Sequence, residues 1–493
     1  MLNTLRIVNS SLFKIGYGNL SLELLESHNF NTRKIFKGLD FTIKNMKTAI
    51  VIIADGVNQK SFEKLRKLGK LPFIDELSKD SIEVKKCISV FPSATVSGHA
   101  SIATCVHPGY HGLVGQSWFD RKSGEFIGYD FELTLPDNWI DASTKLSDEH
   151  LTVKTCYDTL REKGVKTFSV DIIKGADYNF SFIKPGLDKG IGFARFLMFL
   201  RKFAKHKGGG KFSKLTKMFL PVFQHEVAVK NTIKAIKLGC RFGIVWFMET
   251  DFASHLFSPE KFEGNGKQYV YDSFEDALRD VDEEVEKLYN RVVKITGKEP
   301  ILALLTDHGQ SALKSGDKYH LDLVDVFSEY NLNAFKNLDL DEYENRMKKK
   351  ADAVIAVSGP RMAHIYTLRN REEVLEVLKS LECVDQIIAR EERIVYHEGE
   401  AFRLEEVDEV LGGEYPHAFE RIDGLIVSER CGDFIITAKK GYEFEKAYYK
   451  GAHGSLLYDD SVGFAIIRCG KNLEIEECFI TDVIKLVLRE FIP

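Results

Sequence analysis

Three short apolar runs in this chain each lead to an aspartate, and that pattern narrows the folds open to it. Ala49-Ile-Val-Ile-Ile-Ala54 stops at Asp55, Gly243-Ile-Val-Trp-Phe-Met248 leads to Asp251, and Ile301-Leu-Ala-Leu-Leu305 leads to Asp307. A strand that is apolar at successive positions, rather than alternate ones, is buried on both faces. Stretches with helical periodicity separate the runs. Residues 151–163 form one; residues 269–295 form another, with Phe274, Leu278, Val281, Val285, Leu288 and Val292 at helical spacing. Strands alternating with helices predict an α/β fold, a mostly parallel sheet sandwiched by helices. Ligands of such sheets bind beyond the carboxyl ends of the strands, so the three aspartates are expected at one edge.

A further run, residues 82–90, leads into Phe91-Pro-Ser-Ala-Thr95-Val-Ser-Gly-His99. Pro92 biases Phe91 towards extended geometry, and the small residues after it suit a helix start. Thr95 therefore falls at a strand-to-helix turn, where the N–H groups of a helix's first turn can hold an anion. Alone, such a threonine is an ordinary helix cap. Beside the three aspartates it is a candidate nucleophile. His255 follows Asp251 by four residues, which puts both on one face of a helical turn. His308 directly follows Asp307, and His453 sits in Gly451-Ala-His-Gly454, where backbone can pack closely. Oxygen and imidazole donors of this kind suit zinc and, less selectively, manganese or iron. Three carboxylates against two divalent cations leave a net positive charge for a phosphate. Two ions about 4 Å apart can activate a nucleophile and stabilise an in-line displacement.

Taken in order, Asp55, F-P-S-A-T95, D251-x-x-x-H255, D307-H308-G309 and G-x-H453-G resemble the alkaline phosphatase superfamily. The likeness is greatest to its nucleotide pyrophosphatase/phosphodiesterase branch, over residues 47–345 and 446–493. The resemblance implies that Asp251, His255 and His453 bind one zinc. It implies that Asp55, Asp307 and His308 bind a second, which also holds Thr95. Thr95 would attack phosphorus and form a phosphothreonine that water then releases, with the backbone N–H of Val96 on a phosphoryl oxygen. Gly98 brings no side-chain donor to the phosphate, which leaves His99 and Lys174 as candidate donors. The sulfatase branch is disfavoured, since its C-x-P-x-R motif is absent. The expected activity is metal-dependent hydrolysis of phosphodiester or pyrophosphate bonds in a small phosphorylated substrate. A phosphomonoesterase or phosphonate hydrolase on the same site is the nearest alternative. A non-catalytic protein binding an anionic surface on the retained scaffold is the more distant one.

A net charge of −5 over 493 residues excludes a globally basic nucleic-acid binder. The eight cysteines are scattered without a C-x-x-C pair, as expected for reduced thiols. No run of about 18 apolar residues or signal-peptide core is present, and a cytoplasmic location is expected. Residues 1–46 read as an N-terminal extension, 47–345 and 446–493 as the catalytic domain, and 346–445 as a small α+β cap insertion. Residues 184–237 carry thirteen Lys or Arg against Asp188 and Glu226, divided by Gly208-Gly-Gly210. They are expected to form a helical insertion. It is either a solvated element with one buried face or a lid that gathers anionic substrate or rests on an anionic surface. His111, in His107-Pro-Gly-Tyr-His111-Gly112, is expected to tie down a turn.

Overall fold

The computed structural model describes residues 47–129, 145–180, 225–262, 271–336 and 351–492. The N-terminal extension and residues 184–224 of the basic segment lie outside them. Eight strands form the central sheet: β1 (Ala49–Ala54), β2 (Ser81–Ile88), β3 (Thr167–Val170), β4 (Tyr178–Asn179), β5 (Phe242–Phe247), β6 (Ile301–Leu305), β7 (Val462–Arg468) and β8 (Leu473–Phe479). Their spatial order is β8-β2-β7-β6-β1-β5-β3-β4. All neighbours run parallel except β7, which is antiparallel to both β2 and β6. Every residue of β1, β5 and β6 is buried, as their unbroken apolar runs require. Gly243 in β5 is part of that packing, because a Cβ there would meet the Phe168 ring at 2.4 Å.

Register delivers the aspartates to one place. Ala54 pairs with Phe247 and Ile53 with Leu305, so β1, β5 and β6 end level with one another. The chain then turns at Asp55, at the start of a helix carrying Asp251, and at Asp307. Six helices matter for the site and its supports: α1 (Thr95–Thr104), α2 (His225–Lys237), α3 (Glu249–Phe257), α4 (Phe274–Thr296), α5 (Ala418–Ile426) and α6 (Ile480–Phe491). Helix α4 buries the predicted stripe and starts at Ser273, whose side chain accepts from Asp276 N at 3.2 Å. Each fully buried Leu or Val of that stripe contributes roughly 1.5–3 kcal/mol. Helix α2, the described end of the basic segment, buries Val227, Ala228, Val229 and Ile236 and pairs Lys230 with Glu226 on its exposed side. That end is a solvated helix with one buried face.

Strand β8 was not expected. Its Leu-Glu-Ile-Glu-Glu stretch carries too many carboxylates to read as a buried strand, and it lies at the rim of the sheet with Glu474, Glu476 and Glu477 exposed.

A second, seven-stranded sheet forms the cap. In spatial order its strands are Ala334–Phe335, Ala353–Val357, Met362–Thr367, Phe434–Ala438, Val384–Ala389, Ile394–His397 and Glu400–Arg403. Its first strand precedes residue 346, so the sheet begins earlier in the chain than the insertion drawn from sequence. Among the described residues no helix is long and apolar enough to cross a membrane, and all eight cysteines are free thiols.

Candidate active site

Thr95 is the first residue of α1, preceded by Ala94, which offers no side-chain cap. The N–H groups of Thr95 and Val96 thus belong to a helix start that the chain itself leaves open to an anion. Thr95 Oγ1 lies 3.3 Å from His308 Nε2. The same Nε2 is 3.3 Å from Asp55 Oδ1 and 3.3 Å from Asp307 Oδ2. On the other side, Asp251 Oδ2 is 3.2 Å from His255 Nε2, and Asp251 Oδ1 is 3.8 Å from His453 Nε2. The rings of His308 and His453 stack at 4.0 Å. Asp251, His308 and His453 form one set of donors within 4.8 Å of each other, and Asp55, His99 and Asp307 form another. His308 thus stands between the two halves. All the residues expected to bind metal, and Thr95, meet here.

The three imidazoles share one feature. His255 Nδ1 donates to Gly451 O (2.8 Å), His308 Nδ1 to Gly309 O (3.0 Å) and His453 Nδ1 to Ser93 O (3.0 Å). A carbonyl can only accept, so each ring carries its proton on Nδ1 and presents the Nε2 lone pair to the centre. Burial pushes His308 and His453 down to about 4, which keeps them neutral.

The carboxylates are strained electrostatically. Burial, then the charges of Asp307 and Asp251, push Asp55 well above the usual carboxylate range. Burial raises Asp307 to about 6. Asp55 Oδ1 and Asp307 Oδ2 are buried and accept no hydrogen bond among the described residues. Neutral His308 has no Nε2 proton to give them. Buried acceptors facing one another at about 3.3 Å fit a shared cation, since donors 2.0–2.2 Å from zinc are spaced about so far apart.

Residues that sequence alone did not single out hold this arrangement. Trp246 Nε1 donates to Asp55 Oδ2 at 2.6 Å, reaching across from β5. Gln310 Nε2 donates to Asp251 O at 3.2 Å and also to its Oδ1. Gly56 sits at φ +67, with space for a Cβ only 2.5 Å from Asp251 Oδ1, so a side chain there would strike the site.

The two candidate phosphoryl donors, His99 and Lys174, are both engaged by groups of the protein itself. His99 is fully buried, with Nδ1 2.6 Å from Asp171 Oδ1 and Nε2 3.5 Å from Asp307 Oδ2. It bridges two carboxylates. Lys174 donates to the carbonyls of Asp171 and Phe180, and burial lowers it to about 8. His99 belongs to α1, every residue of which is buried, and Lys174 is buried as well. His111 ties its turn, 2.9 Å from Ser101 Oγ and accepting from Leu113 N at 3.2 Å.

Gly98 has a packing reason. A Cβ there would lie 3.0 Å from Asp307 Cβ. Gly98→Ala gains about 1 kcal/mol of helix propensity and loses about 1–3 kcal/mol to overpacking. Stability is expected to change by less than about 2 kcal/mol, while a displaced Asp307 is expected to weaken uptake of a divalent cation roughly tenfold. Chelator competition alongside urea melts separates the two effects.

Residues 49–457 match the family model described as type I phosphodiesterase / nucleotide pyrophosphatase. That is well over half of the chain, and the protein belongs to this family. Murine ectonucleotide pyrophosphatase/phosphodiesterase 5, an inactive variant in complex with AMP, is similar over 90% of this chain and 95% of its own, with 14% identity and a TM-score of 0.56. Phosphonoacetate hydrolase from Sinorhizobium meliloti, in complex with phosphonoformate, is similar over 90% of this chain and 96% of its own, with 14% identity and a TM-score of 0.55. At that identity the likenesses show the fold. Among curated proteins none matches this chain in sequence.

Proposed function

We propose that this protein hydrolyses a phosphodiester or pyrophosphate bond in a small phosphorylated substrate, with Thr95 as the nucleophile and two divalent cations, zinc foremost, as cofactors. Asp251, His255 and His453 would hold one cation, and Asp55, Asp307 and His308 the other. The observation that carries this reading is the orientation of the three histidines. Each is locked by a carbonyl so that its lone pair meets a buried carboxylate oxygen, and that of His308 also lies 3.3 Å from Thr95 Oγ1. The inactive form of the murine relative, a threonine-to-alanine variant that holds AMP, supports it.

When bound, the cations supply positive charge that eases ionisation of a hydroxyl and neutralises phosphoryl oxygens. Thr95 gives up its Oγ1 proton to solvent and bonds to phosphorus as the bond to the leaving oxygen breaks, and that oxygen takes a proton from water as it departs. The first-turn N–H of Val96 donates to a phosphoryl oxygen. Water then cleaves the phosphothreonine and restores the hydroxyl. His99, between Asp171 and Asp307, keeps Asp307 facing the centre.

The test is to quench the enzyme in acid during turnover of a diester and to analyse its peptides by mass spectrometry. A phosphoryl group is expected on the peptide containing Thr95. Product formation with that peptide unmodified at every time point would remove the covalent step. A phosphonate-cleaving activity is the second reading, favoured by the comparable likeness to phosphonoacetate hydrolase. Rates on a diester and on a phosphonate in the same zinc buffer distinguish the two.

A further inference from the structure

Two arginines of the cap are among the largest fully buried side chains of the protein, Arg361 and Arg421. Burying a guanidinium is costly unless its donors are used, so what each one reaches is informative. Arg361 grips Asp460 with Nη1 at 2.8 and 2.9 Å, and sends Nη2 to Ala438 O (3.0 Å) and Nε to Tyr442 O (3.2 Å). Its backbone N–H donates to His453 O at 3.0 Å. Asp460 in turn accepts from Ser455 N (3.0 Å) and Ser455 Oγ (2.6 Å), two residues beyond His453, and from Ser311 Oγ.

Arg421, from α5, has no carboxylate within ion-pair distance among the described residues, and burial pushes it down to about 9. It donates to Leu456 O (3.1 Å), Pro416 O (3.3 Å), Val90 O (3.4 Å) and Ser93 Oγ (2.8 Å). Ser93 is the residue whose carbonyl fixes the ring of His453, and it stands two positions before Thr95. Its hydroxyl also donates to Ser455 O at 3.1 Å. Both arginines therefore end on the loop of His453, one through Asp460 and one through Ser93.

We propose that Arg361 and Arg421 are positioning residues for His453, so that the cap is part of the framework of the metal centre and not only a cover over it. The proposal rests on the two-metal reading above. A cover could be loosened without changing metal affinity; a framework could not.

The experiment is a zinc titration of the full chain against a competing chromophoric chelator, with steady-state kinetics on a soluble diester. In Arg361→Met and Arg421→Met, one zinc is expected to bind roughly 10–100-fold more weakly and the other as in the wild type. The kcat is expected to fall with little change in KM. Arg421→Lys should recover part of the lost affinity, since an ammonium can reach Ser93 but not all the carbonyls. If Arg421→Met fails to fold, Ser93→Ala removes the hydroxyl that Arg421 reaches while keeping the carbonyl on His453. Wild-type affinity for both ions in folded Arg361→Met, together with either Arg421→Met or Ser93→Ala, would overturn the proposal. A wild-type protein that takes up no second zinc would instead sink the two-metal reading, and this is measured before any variant.

Discussion

Thr95→Ala is expected to lower kcat on a chromogenic phosphodiester by roughly 10⁴-fold or more while the protein still takes up two equivalents of zinc. The side chain is buried at the mouth of the centre, and its hydroxyl touches His308 Nε2. Removing it takes away the proposed nucleophile but leaves the six proposed metal donors where they are. A 10⁴-fold loss is about 5 kcal/mol of barrier. Losing one hydroxyl hydrogen bond costs about 1 kcal/mol of stability. Activity and melting temperature should therefore separate cleanly. Turnover within tenfold of the wild type would mean that some other group, or water itself, attacks.

Removing the cations should abolish turnover and lower the melting temperature, and zinc should restore both. The size of the restoration depends on pH in a predictable direction. In the metal-free protein Asp55 and Asp307 sit above their unfolded value of about 3.9. A raised folded pKa contributes stability that is fully present below the unfolded value and is lost as pH rises through the folded one, about 6 for Asp307. Near pH 7.5 the metal-free site therefore carries buried charge that a cation relieves. Near pH 5 zinc must first displace protons, so it gains less. His308 and His453, at about 4, are neutral at both pH values and add nothing to the contrast. At 100 times its Kd each ion adds about 2.7 kcal/mol. An equal rise in melting temperature near pH 5 and pH 7.5 would show that the aspartates are not the groups that receive the metal.

The parts of this molecule that were legible in the sequence are those where one local pattern has one physical meaning. Unbroken apolar runs ending in aspartate mean strands buried on both faces, and β1, β5 and β6 are such strands. The Asp251–His255 spacing means one helix face, and α3 puts both there. His99 was harder, because α1 has no exposed side from which to read an orientation. Whether His99 faced the substrate or Asp171 depended on residues 72 positions away. The same holds for Trp246 on Asp55, Gln310 on Asp251 and the two cap arginines. Each is an ordinary residue in its own segment and acquires its role only from what the fold places opposite it. Strand β8 was hidden by its glutamates, which are the price of its rim position.

Those glutamates also bear on what this protein can become. Glu474 and Glu476 pair with Lys85 and Lys86 of the adjacent strand, so the row is neutralised from within. A second copy approaching strand to strand would have to accommodate these ion pairs and the exposed charge of Glu477. Growth of the sheet into fibrils by edge-to-edge pairing is thereby discouraged at this margin.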